Sequence, residues 1–219
     1  MPRQGGIGAV KHVEEKVNPI AGFRHWPGQL DRAAQARLLA ELRRVIADAP
    51  LYSPAMPRTG KLLSVAMTNC GPLGWLTDKD GGYRYQAHHP VTGRPWPAIP
   101  RALMLLWEEL AAYPVPPEAC LVNYYAGSSK LGSHRDADEA DTEAPVLSIS
   151  LGDDAVFHIG GLRRTDPKLR LTLRSGDALL LGGAARHAYH GIDKVLAGTS
   201  ALLAEGGRIN LTLRRVTKP

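Results

Sequence analysis

The chain has 219 residues, 44% of them hydrophobic and 22% charged, with a formal net charge of +6. Such a balance suits one soluble globular domain with a sizeable core, and excludes collagen-like or low-complexity chains. No apolar run approaches the roughly 20 residues that cross a bilayer, Leu103–Trp107 being among the longest, so no membrane partner is expected.

Residues 1–22 read as a tail; Met1 to Lys16 is polar and lacks the apolar block of a secretory signal, which points to a cytoplasmic protein. Asp31 is placed to cap a helix running to about Ala49, with Leu38, Leu39, Leu42, Val45 and Ile46 on one stripe and arginines opposite. Tyr52 to Pro97 is rich in Gly and Pro, the texture of short strands joined by recognition loops. Pro100 opens a second helix that stops near Tyr113-Pro114. From Ala119 the pattern turns to strands: Cys120–Tyr125, Val146–Leu151, Ala155–Ile159, Leu169–Leu173, Ala178–Leu181 and Ile209–Leu213. Short strands without interleaved helices predict a mainly β fold of sandwich or jelly-roll type. We divide the single domain into residues 1–49, 50–118 and 119–215. Cys70 and Cys120 are the only cysteines; without metal-type spacing, they are expected to be reduced thiols in or near the core.

His134-Arg135-Asp136 is the central motif. On extended backbone, His134 and Asp136 point the same way; a second histidine from another strand would complete a 2-His-1-carboxylate face, the ligand set of non-haem Fe(II) oxygenases. Counting leaves His158, His187 and His190 as candidates for that histidine. His190 is preferred because it follows the strand Ala178–Leu181 and its turn, next to Gly191, whose lack of a side chain allows close approach of the backbone to a metal site. His187 then reads as a supporting or solvent-facing residue. Arg208, Asn210 and Arg214 share strand parity, opposite Ile209, Leu211 and Leu213, and so place carboxylate-binding donors on one face.

Asn123-Tyr124-Tyr125-Ala126-Gly127, His134-Arg135-Asp136-Ala137-Asp138-Glu139, Gly160-Gly161 through Pro167, Tyr189-His190-Gly191 and Arg208 to Arg214 together resemble the AlkB family of Fe(II)/2-oxoglutarate dioxygenases. So do Met67 to Gly71, Gly74-Trp75, Gly82-Tyr83-Arg84-Tyr85 and Pro95-Trp96-Pro97 upstream, which extends the match over about residues 50 to 215. The resemblance implies a double-stranded β-helix core preceded by a nucleotide-recognition lid. It implies iron bound by His134, Asp136 and His190, and 2-oxoglutarate held by Asn123, Tyr125, Arg208, Asn210 and Arg214, with Arg208 on the distal carboxylate and Arg214 nearer the metal. Trp75 and Tyr83, with Arg84, Tyr85, Asp138 and Arg164 around them, would receive a flipped-out base. Tyr124 stands where the family motif often has a basic residue, and Thr77 to Gly82 differs slightly in length, so Trp75 aligns more firmly than Tyr83.

The implied reaction consumes 2-oxoglutarate and O2 and removes an N-methyl group from a base of the 1-methyladenine or 3-methylcytosine type, releasing formaldehyde, succinate and CO2. Such a base is cationic, which suits the carboxylate of Asp138; Glu139, Asp141 and Glu143 are expected on a solvated loop. Reaching it requires single-stranded or flipped-out nucleic acid. Lys130, Arg135, Arg163, Arg164 and Lys168 are candidate phosphate contacts. The expected partner is alkylated DNA, or RNA, met by a monomer. The competing readings are an oxygenase of the same fold acting on RNA, protein or a small molecule, and a non-catalytic nucleic-acid module.

Overall fold

A computed structural model describes residues 20–127 and 129–219. Most of the tail expected over residues 1–22 lies outside the described residues; Ile20–Gly22 are tied down by backbone hydrogen bonds to Phe23, Gly182 and Ala185.

Among the described residues, twelve strands and two α-helices follow one another as β1 (Phe23–Trp26), α1 (Arg32–Asp48), β2 (Ala66–Cys70), β3 (Gly74–Asp78), β4 (Gly82–Gln86), α2 (Arg101–Leu106), β5 (Ala119–Tyr125), β6 (Leu131–His134), β7 (Val146–Gly152), β8 (Asp154–Ile159), β9 (Leu169–Leu173), β10 (Ala178–Leu181), β11 (His190–Leu196) and β12 (Arg208–Arg214). They form an antiparallel six-stranded sheet in the order β1-β10-β7-β12-β5-β2, a four-stranded sheet in the order β6-β11-β8-β9, and the separate hairpin β3-β4. This is the jelly-roll arrangement expected from the strand pattern.

The six-stranded sheet buries both faces, one apolar and one mixed, and its period-two alternation sorts the residues. One face (Val122, Leu147, Ile149, Leu180, Ile209, Leu211 and Leu213) packs under α1, α2 and the turn that follows α2 through Leu38, Leu42, Leu103 and Trp107. The other face (Met67, Leu121, Tyr125, Val146, Leu179 and Leu181) meets Phe157, Ile159 and Ile192 of the smaller sheet. The interior between the sheets therefore also receives Asn123, Ser148, Ser150, Arg208, Asn210, Thr212 and Arg214, the alternate residues of β5, β7 and β12.

α1 begins where Asp31 accepts a hydrogen bond from the Ala34 amide at 2.7 Å, the expected cap. α2 starts after Pro100, passes into a π-turn over Trp107–Ala111 and ends at Ala112 in left-handed conformation, just before Tyr113-Pro114. Gly206 and Gly207, both with positive φ, turn the chain into β12; a side chain on Gly207 would strike the Tyr125 carbonyl at 2.7 Å.

One local expectation is corrected. β6 ends at His134, so Asp136 lies on the following coil rather than on the same extended strand, and Asp138 with it. His190 follows β10 and its turn, as expected, and opens the seven-residue β11. Cys70 and Cys120 are cross-strand neighbours in β2 and β5, both buried and unbridged.

Candidate active site

The smaller sheet supplies both histidines. His134, the last residue of β6, is in register with His190, the first of β11, and their rings lie 4.6 Å apart. The Nδ1 of His134 lies 2.9 Å from the Gly132 carbonyl, and that of His190 lies 3.0 Å from the Ala188 carbonyl. A carbonyl only accepts, so each Nδ1 carries the proton and each Nε2 offers a lone pair. Gly191 is small for a reason other than metal approach: a side chain there would meet the Leu131 carbonyl of β6 at 2.6 Å.

Asp136 reaches the same point from the coil, and one ligand atom from each of His134, Asp136 and His190 lies within 4.8 Å of the others. Its Oδ1 accepts from Arg214 Nη2 at 2.9 Å, while its buried Oδ2 has no hydrogen-bond partner. Burial pushes the Asp136 carboxyl up, but Arg214, His190, His134 and Arg186 outweigh it and hold the group well below the usual carboxylate range. Burial, reinforced by His134, pushes His190 down to about 4. At neutral pH the site is thus a carboxylate beside a neutral imidazole, the protonation states a divalent cation requires. His187 lies on the short helical turn Gly183–His187, and His158 turns away to Asp193 at 2.8 Å; neither joins the cluster.

The larger sheet builds the neighbouring anion site. Tyr125 pairs with Arg208 and Asn123 with Asn210 across β5 and β12. Arg208 is 1% exposed. One guanidinium nitrogen donates to Ser150 Oγ at 2.9 Å, while Nε and Nη1 have no partner, and the Tyr125 ring lies 5.3 Å away. Burial pulls the Arg208 pKa below its ordinary value, partly countered by Tyr125. A buried cation with two unpartnered donors is matched to an anion such as a carboxylate. Asn123 Oδ1 is also buried and unpartnered. Asn210 differs: its amide donates to Ser148 Oγ and the Ile149 carbonyl and accepts from Thr212.

The cluster His134, Asp136 and His190 and the anion-site residues Asn123, Tyr125, Arg208, Asn210 and Arg214 line one cavity of about 520 Å³, together with Trp75, Tyr83, Asp138 and Arg164. The donor set fits Fe(II) and a dicarboxylate on the strength of the orphaned Asp136 oxygen, the two Nε2 lone pairs and the unpartnered Arg208 donors.

Residues 22–214 match the model of the 2OG-Fe(II) oxygenase superfamily. The alpha-ketoglutarate-dependent dioxygenase AlkB homolog of Caulobacter vibrioides is 50% identical over 203 residues, covering 93% of this chain and 91% of that protein. This chain belongs to the AlkB family. The nucleic acid dioxygenase ALKBH1 of Homo sapiens is 34% identical over 129 residues, 57% of this chain and 32% of that protein. The solved structure of OsALKBH1 superposes with a TM-score of 0.79 at 28% identity, covering 92% of this chain and all of that one.

Within this AlkB-family cavity the β3-β4 hairpin forms one wall. Trp75 and Tyr83 stack with ring centres 5.8 Å apart and planes 23° from parallel, and Tyr83 is half exposed. Asp138 Oδ2 accepts from the Trp75 indole at 2.8 Å, which ties the carboxylate to the aromatic wall. Arg164 donates to the Ser133 carbonyl and lies 5.0 Å from the Tyr189 ring, with Arg135 at 6.0 Å.

Arg84 and Tyr85 do not reach the cavity wall. Arg84, opposite Leu76, projects from the other side of the hairpin and pairs with Asp78 at 2.6 Å. Tyr85 turns its hydroxyl onto Glu139 at 2.5 Å. Glu139 and Asp141 are buried rather than solvated, and only Glu143 of that trio is exposed. Glu139 pairs with Arg186 at 2.9 Å and with Arg214 at 3.4 Å, while Asp141 accepts from the Tyr113 hydroxyl. Arg186 carried no local signal at all; an isolated arginine between alanine and histidine matches no motif.

Proposed function

We propose that this AlkB-family dioxygenase demethylates alkylated nucleobases, of the 1-methyladenine and 3-methylcytosine type, in DNA or RNA. The observation that carries this reading is that the His134–Asp136–His190 cluster, the unpartnered Arg208 donors and the Trp75–Tyr83 pair share one cavity. Bound there, Fe(II) with 2-oxoglutarate and O2 supplies oxidation of the N-methyl group, leaving succinate, CO2 and formaldehyde.

The protein's part is positioning and electrostatics. His134 and His190 present Nε2 because the Gly132 and Ala188 carbonyls hold the opposite nitrogens. Arg208 would hold the distal carboxylate of 2-oxoglutarate beside Tyr125 and Asn123, Asn210 braces the strand face, and Arg214 steadies Asp136 where the metal would bind. Trp75 and Tyr83 act as the lid that holds an extruded base. Asp138 favours the cationic alkylated form, since a carboxylate facing a positive ring gains Coulomb energy that a neutral base lacks. Arg135 and Arg164, beside Tyr189 at the rim, suit a phosphate backbone.

Among the described residues no helix is long and apolar enough to cross a membrane. With two free thiols, a reducing cytoplasmic setting is consistent with the site. The test is a panel of single-stranded and duplex DNA and RNA oligonucleotides with one cationic or one neutral N-methyl base, scored by mass spectrometry for methyl loss dependent on 2-oxoglutarate. Faster turnover of the cationic bases supports the reading; turnover of 2-oxoglutarate with no change in any oligonucleotide moves the substrate to a protein or small molecule.

A further inference from the structure

Asp136 is the one metal-site residue without a strand to hold it. β6 stops at His134, and residues 135–145 cross as coil to β7. Several groups hold this segment, Arg214, Trp75 and Tyr113 among them, but one side chain binds it at three separate points. Arg186, 2% exposed, sits on the short helical turn that leads into His190. Its Nη1 donates to the Asp136 carbonyl at 2.8 Å, its Nη2 to Glu139 Oε2 at 2.9 Å and its Nε to the Ala144 carbonyl at 2.9 Å.

We propose that Arg186 is the positioning residue of the metal site: its guanidinium stitches the Asp136 coil to the turn that precedes His190, and so sets the distance between ligands on two separate segments. The inference rests on the His134–Asp136–His190 reading and deepens it. The geometry is demanding, because three acceptors at three points of one coil are met by the planar fork of one arginine, which lysine's point charge does not reproduce. Glu139 extends the device. Its Oε2 faces Arg186, while its Oε1 takes the Tyr85 hydroxyl of the hairpin and lies 3.4 Å from Arg214 Nε. The hairpin that walls the cavity is thereby linked to the backbone of a metal ligand through two buried side chains.

The experiment uses the full chain with Mn(II) as probe, titrated by electron paramagnetic resonance of the free ion, alongside thermal unfolding of the metal-free protein. Partners that orient metal ligands are worth about 10- to 100-fold in metal affinity. Arg186→Lys is expected to unfold within a few degrees of wild type yet bind Mn(II) about 10- to 100-fold more weakly. Should Arg186→Lys fail to fold, Arg186→Met combined with Glu139→Gln removes both buried charges together and is read the same way. A folded variant with wild-type Mn(II) affinity overturns the proposal, and so does failure of both variants to fold, which would assign Arg186 to global stability. His134→Ala serves as control: if wild type and His134→Ala bind Mn(II) alike, the metal-site reading itself has failed and the proposal falls with it.

Discussion

Replacing Arg208 by methionine gives two effects of opposite sign. In the metal- and ligand-free protein the guanidinium is buried, donates once to Ser150 and leaves two N–H groups without partners. Removing an unpaired buried charge in favour of an apolar chain of similar length is neutral or stabilising, against about 1 kcal/mol for the lost Ser150 bond. Unfolding of the free protein should therefore change little, or shift upward. With 2-oxoglutarate the balance reverses. Two charge-assisted hydrogen bonds at about 1.5–3 kcal/mol each sum to about 3–6 kcal/mol, or roughly 100- to 10,000-fold in affinity. Anaerobic calorimetric titration measures that loss, and thermal scans with saturating 2-oxoglutarate should show the ligand-induced rise in Tm disappear. A variant that binds 2-oxoglutarate within tenfold of wild type refutes the reasoning. A free protein destabilised by several kcal/mol would equally show that Arg208 is paired before ligand arrives.

Three further outcomes are expected. His190→Ala should abolish Mn(II) binding while His187→Ala retains it, by titration of the free ion; the reverse would mean the wrong histidine was chosen. Trp75→Ala should weaken binding of methylated oligonucleotide by about 10- to 100-fold, the loss of one stacked base, and Asp138→Asn should slow cationic lesions more than neutral ones in competition assays; equal slowing would reduce Asp138 to a support for the indole. His158, buried, is pushed below the ordinary histidine pKa despite Asp193. Its unfolded form takes up a proton first, so falling pH costs stability from about 6.5 downward to the depressed folded pKa. His158→Gln should flatten the fall of Tm across that window, and an unchanged slope would contradict it.

Much of the fold could be read from the chain. The strands Leu169–Leu173 and Ala178–Leu181 were legible to the residue, the first because its leucines alternate with polar residues at period two, the second because a short apolar run is bounded by Gly-Asp and Gly-Gly turn signals. The face shared by Arg208, Asn210 and Arg214 was legible for the same reason, each polar residue flanked by core leucines or isoleucine. The limits lay where long-range contacts decide. Asp136 looked like part of a strand, yet its coil is shaped by Arg186, fifty positions away. Glu139 and Asp141 looked solvated because acidic runs usually are; buried cations and a tyrosine hydroxyl change that, and no local pattern reports them. Arg84 and Tyr85 matched a motif, but hairpin geometry turned one to Asp78 and the other to Glu139.

The most direct measurement is a single turnover. Enzyme loaded anaerobically with Fe(II), 2-oxoglutarate and a 1-methyladenine oligonucleotide is mixed with oxygenated buffer, and succinate, formaldehyde and the oligonucleotide mass are quantified together. The three-residue site predicts succinate and formaldehyde in equal amounts with restored adenine, and none of these from Asp136→Ala. Demethylation by Asp136→Ala at the wild-type rate, or formaldehyde without 2-oxoglutarate, would contradict it.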